Sequence, residues 1–449
     1  MSTIEKHDMT QGKILLPLVS FTIPLVLGNL FQLTYNAADS VIVGKYVGEQ
    51  ALAAVGTSTP IMNIAILLIS GMCMGASVLM SSQYGAKDYD TLSRQISTTM
   101  LAGCGFSVVF SLLMLLLANP VLRLIRVPET AIPEAAAYLR IIFMGLIFTF
   151  MYNFLANTMR ALGDSKTPLY FLVTSAFLNI FGDLFFVVVL RWGVAGSAIA
   201  TVCSEGLCCL LCGIYIKKKI PLLCLGKKWW VFDKSLLGKT VSYGSTSAMQ
   251  QVCLQLGKLI IQFVVNTQGV AVMAAFTAVN RVDDFAYTPQ QNIGHAMTTF
   301  LAQNKGAGHK ERMKKGFQTG LLIELVYSIG LFCVIWGLAP QIMTLFAEDG
   351  DAQVVSLGIS YLHLISWMYI LPGLTNGVQG FFRGIGDLKV TLYSTFMNMF
   401  GRVVAVFVMI RLLQMEFASL AWANMVGWIV MLLFEVPLLV KSMRNGECG

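Results

Sequence analysis

Twelve apolar runs, each long enough to cross a lipid bilayer, divide this chain and limit the folds open to it. They fall at roughly 15–40, 54–80, 95–117, 136–158, 168–190 and 194–216, then at roughly 240–265, 275–300, 317–338, 357–382, 390–412 and 418–440. A spanning helix needs about 20 apolar residues, so twelve consume about 240 and leave enough for loops and ends. Pro, Gly and polar residues punctuate the breaks. Inside lipid every backbone polar group must be satisfied within the protein, which leaves helices or closed barrels, and runs of this length are helical. Composition agrees: 12% of residues are charged, where a soluble domain carries about a quarter.

Lys and Arg fix the expected orientation. Twenty-two of the 31 lie in the N-terminal segment, in every second loop and in the C-terminal segment. These include Lys6, Lys13, Lys87, Arg94, Arg160, Lys166, seven lysines between Lys217 and Lys239, Lys305 to Lys315, Arg383, Lys389, Lys441 and Arg444. Only five (Lys45, Arg123, Arg126, Arg191 and Arg411) lie in the opposite loops. The positive-inside rule therefore puts both termini in the cytoplasm, which an even number of spans requires. Met1 to Gln11 is polar and the run from Ile14 lacks a small-residue cleavage site, so the first run reads as a retained span rather than a signal peptide. Cys203, Cys208, Cys209 and Cys212 crowd one helix, and packing explains them better than a metal.

The chain also repeats itself. Arg160, Gly163, Asp164 and Lys166 recur as Arg383, Gly386, Asp387 and Lys389, 223 residues later. Ala53-Ala54 and Gly85-Ala86 recur at an offset of 221. Each half thus holds six spans, and an even number makes the halves parallel repeats about an axis along the membrane normal. The expected fold is all-α and integral to the membrane: twelve transmembrane helices in two pseudo-symmetric six-helix lobes around a central cavity. Residues 1–216 form the N-lobe, 217–239 a Lys-rich cytoplasmic linker and 240–449 the C-lobe. That is the plan of a transporter.

Carboxylates inside a bilayer are expensive and mark function by default. In the first span Gly28, Gln32, Tyr35 and Asp39 fall at i, i+4, i+7 and i+11, on one helix face. Ser175, Asn179 and Asp183 repeat the four-residue step in span 5, as do Ser197, Thr201 and Glu205 in span 6. Converging, the three stripes enclose two aspartates among hydroxyl and amide partners. Two such carboxylates in low dielectric cannot both ionise cheaply, so the pair suits uptake and release of a proton or small cation. Pro24, four turns before Asp39, removes a backbone hydrogen bond and is a candidate hinge. The second half does not copy this site, since Arg402 and Val406 stand at the positions of Asn179 and Asp183. Span 8 carries its own stripe, Asn280, Asp284, Tyr287 and Gln291, with Arg281 placed to neutralise Asp284. Glu324 is a weaker candidate, and Glu435 is expected to snorkel to the cytoplasmic surface.

No phosphate-binding Gly-rich loop with Lys-Ser/Thr is present, and His7, His295, His309 and His363 are scattered, so neither an enzyme nor an ATP-driven pump is expected. An ion gradient is the remaining source of power.

These residues resemble the multidrug and toxic compound extrusion (MATE) family over essentially the whole chain. The most specific pieces are Tyr35 to Gly44, the Arg160 to Pro168 turn and its echo at Arg383 to Asp387. The resemblance implies an antiporter that exchanges H⁺ or Na⁺ for amphipathic, often cationic, small molecules, with no cofactor beyond the coupling ion. Within the family the chain is similar to the branch of DNA-damage-inducible protein F, whose N-lobe cation site maps onto Tyr35, Asp39, Asn179, Asp183 and Thr201, with Pro24 as the bending point. A second branch uses C-lobe acids, where this chain has Gln250, Gln251 and Asn376. Gln32, Glu205, Asn280, Asp284, Tyr287 and Gln291 are candidate substrate-cavity residues. The expected setting is the plasma (inner) membrane, as a lipid-embedded monomer without nucleic-acid partners. The alternative is a flippase for a lipid-linked saccharide or peptidoglycan precursor.

Overall fold

The computed structural model describes residues 8–125, 127–129, 131–220, 230–346, 352–412, 417 and 419–444 of the 449. The described chain is helical, and its helices repeat in the order the sequence repeats. In the first half they are α1 (Leu15–Tyr46), α2 (Glu49–Gly85), α3 (Tyr89–Leu124), α4 (Ile132–Met144), α5 (Leu146–Ala161), α6 (Lys166–Asp183) and α7 (Gly193–Lys219). The second half has α8 (Lys234–Asn266), α9 (Val270–Gly306), α10 (Lys310–Phe346), α11 (Ala352–Ser366), α12 (Ile370–Ile385), α13 (Leu388–Phe407) and α14 (Ser419–Arg444). Of the Lys-rich linker, Lys227 and Lys228 lie outside the described residues.

Among the described residues, fourteen α-helices make twelve spans because the fourth span of each half is broken. In the first half α4 and α5 meet at Gly145 with a 46° bend. A Cβ there would stand 2.4 Å from Val202 Cγ2 on α7, so the close approach demands glycine. In the second half a 3₁₀ turn, Trp367–Tyr369, separates α11 from α12. Ten described helices are long and apolar enough to cross a membrane, and the bent pair adds one. The twelfth, α9, is 37 residues long but carries Arg281, Asp283 and Asp284 in its middle, and it falls short on apolarity. At 1.5 Å per residue it is about 55 Å long, ample for the bilayer.

The repeated turn has a repeated structure. Gly163 and Gly386 take φ +88 and +85, a region that favours glycine. The aspartate after each then caps the next helix. Asp164 Oδ1 accepts from the amides of Lys166 and Thr167, both at 3.0 Å, and Asp387 Oδ1 accepts from Val390 N at 3.4 Å. Both halves also leave this span through a π-helical turn, Leu184–Val189 after α6 and Val408–Leu412 after α13.

The contacts divide into two compact units. One comprises Met1–Asp8 and Ile23–Ala248, the other Met9–Thr22 and Met249–Gly449. The boundaries fall inside α1 and α8. In the first unit Phe143, Phe150, Phe154, Leu92 and Ile96 are buried at its core. In the second, Tyr361, Tyr369, Met368 and Leu362 play that part. On α3, Val109, Leu112, Leu113 and Leu116 are 48–78% exposed at helical spacing. An apolar stripe so exposed belongs against lipid.

The segment before α1 is strapped to the second unit by its own carbonyls. Arg312 donates from Nη1 to Gly12 O (2.6 Å), from Nη2 to Gln11 O (2.8 Å) and Met9 O (3.1 Å), and from Nε to Met9 O (3.2 Å). Asn304 Nδ2 also donates to Met9 O, while Met9 N donates to Gln303 Oε1 at 3.2 Å. In the first unit the residues before α8 are held likewise: Arg94 pairs with Asp233, and Ser97 and Thr98 bond the backbone of Val231 and Asp233.

Candidate functional site: a carboxylate pair in the first unit

Three helices bring the predicted residues together inside the first unit. Asp39 comes from α1, Asn179 and Asp183 from α6, and Ser197, Thr201 and Glu205 from α7. The four-residue steps of α6 and α7 point these side chains at one another because the two helices pack along their lengths. Ser197 Oγ donates to Asp39 Oδ1 at 2.7 Å. Thr201 Oγ1 donates to the Ser197 carbonyl and accepts from Asn179 Nδ2, both at 3.2 Å.

Asp183 is fully buried beside Asp39, close enough for each carboxyl to act on the other. Among the described residues no group other than the Asp39 carboxyl is placed to bond the Asp183 oxygens. Of the two carboxyls the Ser197 hydroxyl serves Asp39, and a bare negative pair without countercharge would be costly beside so buried an Asp183. A proton or a monovalent cation relieves that cost.

Tyr35 lies within electrostatic reach of Asp39 and Glu205, and Gln32, one turn earlier, bonds its hydroxyl. Thr149 Oγ1 donates to Glu205 Oε2 at 2.5 Å. Residue-type patterns miss Tyr138, which α4 buries within reach of Asp39, Asp183, Tyr35 and Glu205. A single tyrosine in an apolar helix forms no stripe, so nothing in the sequence flags it. Pro24 sits inside α1, which runs unbroken from Leu15 to Tyr46.

The π-helical turn begins at the residue after Asp183. Such turns gather at functional sites, but its counterpart follows Val406-Phe407, with no acid. The turn therefore belongs to the repeated fold, and only the first half hangs a carboxylate on it.

The second-unit candidates divide differently from the sequence reading. Asp284 is 54% exposed at its side chain and pairs with Lys258 Nζ at 3.4 Å, rather than with Arg281. Asn280 is half-buried and Gln291 exposed. Tyr287 is half-buried with its hydroxyl covered, its ring set against Tyr369 and Trp428. The buried acid of α9 is Asp283, one residue round the helix, which accepts from Tyr369 Oη at 2.6 Å and Tyr361 Oη at 3.0 Å. Asp283 and Gln290 lie two turns apart on the buried face of α9 with the apolar Ala286 between them, so residue types mark that face weakly. Gln250 Nε2 donates to Thr395 Oγ1 and Gln379 Oε1, so amides bond where C-lobe acids would stand. Glu435 does not snorkel: it is fully buried within reach of Arg383, because its helix presents it inward among α12 and α13. The cysteines of α7 are free, with Cys208 donating to Phe171 O and Cys212 in the core.

The MatE family pattern matches residues 24–185 and 247–410, one copy in each half. Among curated proteins, the chain is 32% identical over 392 residues to the probable multidrug resistance protein YpnP of Bacillus subtilis, covering 87% of this chain and 86% of that one. It is 23% identical to the probable multidrug resistance protein NorM of Thermotoga maritima, covering 92% and 89%. Among solved structures, a MATE protein in a bent conformation superposes with a TM-score of 0.91 at 21% identity, covering all of both chains. A MOP-superfamily transporter from Pyrococcus furiosus does so equally, covering 99% of each.

Proposed function

The chain belongs to the MatE family and is a multi-pass membrane transporter for drug efflux, and from that premise we propose that it is an antiporter. It exchanges H⁺ or Na⁺ for amphipathic, often cationic, small molecules by alternating access, and needs no cofactor beyond the coupling ion. The observation that carries this reading is the Asp39/Asp183 pair: two adjacent carboxyls, Asp183 fully buried, with no cation beside them among the described residues.

Each step follows from charge. With a proton or Na⁺ bound, the pair carries one negative charge fewer and the pocket tolerates burial better. With the ion released, the pair is anionic and demands water or a cationic guest. Tyr35 and Asp39 share α1 with Pro24, where the missing N–H leaves the Ser20 carbonyl without its helical donor. Bending there moves Asp39 relative to α6 and α7 and so couples charge to shape. Asn179, Thr201 and Ser197 hold the pair in register, and Gln32 and Glu205 border it on the substrate side. The protein works as a monomer in the plasma (inner) membrane with both termini in the cytoplasm.

The test is efflux of a fluorescent cation from vesicles with ΔpH and ΔNa⁺ imposed separately. Asp39→Asn and Asp183→Asn keep side-chain volume and remove charge, and each is expected to abolish gradient-driven efflux at normal expression. Full efflux by both variants sinks the assignment. Movement of a lipid-linked saccharide without movement of the cation would favour the flippase reading instead.

A further inference from the structure

The second unit has its own version of the place where the first unit gathers its acids, and there the charge is reversed. Across the repeat Tyr138 corresponds to Tyr361, Asn179 to Arg402, Asp183 to Val406 and Glu205 to Trp428, each 223 residues later. The structure upholds the register at the tyrosine. Tyr138 Oη meets Met62 Sδ at 3.7 Å, and Tyr361 Oη meets Asp283 Oδ2 at 3.0 Å. Met62 and Asp283 are themselves counterparts in the 221-residue register of α2 and α9. Helix α8, the counterpart of α1, carries no Asp or Glu in place of Asp39. The three acids of the first site are therefore gone from the second, and an arginine has entered.

Arg402 is half-buried on α13, about 21 Å along the axis from Leu388. That is too deep for a lipid phosphate, and a charge so placed marks a site by default. Its Nε is buried without an acceptor, and among the described residues its guanidinium makes no hydrogen bond or ion pair. Asp283 lies within electrostatic reach, yet its two oxygens are taken by the hydroxyls of Tyr361 and Tyr369. Tyr287, also within reach of Arg402, has a buried hydroxyl with no partner. Two donors thus share one place with nothing to receive them. The surroundings are aromatic: the Tyr287 ring lies 5.4 Å from Tyr369 and 5.9 Å from Trp428. Gly427 lets α14 seat the base of the arginine, since a Cβ there would stand 3.1 Å from Arg402 Cβ.

We propose that Arg402 and Tyr287, beside Trp428, bind the acidic group of an organic anion, a carboxylate or sulfonate on an apolar or aromatic body. A guanidinium gives such a group two parallel N–H donors, which a lysine cannot. The Tyr287 hydroxyl supplies a third. The body of the ligand rests on the Trp428 and Tyr287 rings, whose faces suit flat apolar groups. The substrate range then extends to anionic and zwitterionic amphiphiles. This rests on the chain being a transporter and is independent of the ion that Asp39 and Asp183 couple.

The experiment titrates two fluorescent ligands against the full chain in lipid nanodiscs: dansylglycine, an anion, and dansylcadaverine, a cation with the same fluorophore. Arg402→Gln is expected to weaken dansylglycine about 10- to 100-fold, the worth of one charge-assisted contact. Arg402→Lys should fall between. Arg402→Asn restores the residue of the first unit, so it is the second variant should glutamine disturb the fold, and it should lose the anion equally. Dansylcadaverine should bind the Arg402 variants as it binds the native chain. The loss of dansylglycine should be the same in an Asp39→Asn/Asp183→Asn background, which separates this result from the antiport assignment. Failure of the native chain to bind dansylglycine overturns the proposal. Unchanged dansylglycine affinity in both neutral variants also overturns it, and leaves Arg402 as a counter-charge to Asp283. Equal loss of both ligands would assign the arginine to packing and overturn it as well.

Discussion

Removal of the Arg312 guanidinium tests the strap before α1 with a worked magnitude. One half-buried side chain donates four hydrogen bonds to the carbonyls of Met9, Gln11 and Gly12, and lies 5.3 Å over the Phe300 ring. A hydrogen bond from a charged group is worth about 1.5–3 kcal/mol, but bonds sharing one donor group do not add, and solvent screens the exposed part. For Arg312→Ala we take a loss of about 2–3 kcal/mol in the free energy that holds the strap closed. At 1.36 kcal/mol per tenfold this is a rise of roughly 30- to 150-fold in the open population. Met9 N, which donates to Gln303, reports that opening directly. Hydrogen exchange of the peptide around residues 8–18, in lipid nanodiscs, should accelerate by that factor in Arg312→Ala. Arg312→Lys keeps the charge but cannot fork to three carbonyls, so it should fall between. Unchanged protection in Arg312→Ala would show that Asn304, Gln303 and helix packing suffice without the fork.

Other consequences follow from single positions. Gly145→Val forces a branched side chain onto Val202 and should cost about 1–3 kcal/mol of thermal stability in detergent, with partial rescue by Val202→Ala. Loss of the repeated cap should cost about 0.5–2 kcal/mol each in Asp164→Ala and Asp387→Ala. The first should be worse, because Asp164 also accepts from Thr167 Oγ1 while Asp387 accepts one long bond; denaturation midpoints decide it. Asp233, outside the spans, is held below the usual carboxylate range by the Ser235 hydroxyl and amide, then by the Leu236 amide and Arg94. Its contribution is complete above the ordinary Asp range and fades as pH falls through the lowered value. Acidification should therefore loosen the start of α8, read as faster exchange at Ser235 and Leu236.

The sequence made Asp39 and Asp183 legible because each sits in a stripe of polar residues spaced by four, and α6 and α7 pack along those stripes. The duplicated turn was legible for a similar reason: a positive-φ glycine followed by a capping aspartate is a local requirement written in residue types. Where several faces of one helix are polar, periodicity loses its power. On α9, Asn280, Asp284 and Gln291 formed as good a stripe as Asp283 and Gln290, and only packing reveals which faces inward. Tyr138 and the burial of Glu435 are tertiary facts with no local signature. The break at Gly145 depends on Val202, 57 residues away, and the π-helical turns have no marker that the residues supply.

The placement of Met9–Thr22 with the second unit also constrains biosynthesis. The strap's carbonyls meet Arg312, 303 residues downstream of Met9. At about 5–20 residues per second, roughly 15–60 s of synthesis separate the two. For that interval the leader of α1 has no docking site, and the first half is translated, inserted and packed with its own leading end unplaced. The two halves are repeats in structure, yet the leading segment of the first is held by residues of the second. Expressed alone, a first half would lack the unit that receives its leader. A second half would lack the strap that Arg312 and Asn304 hold.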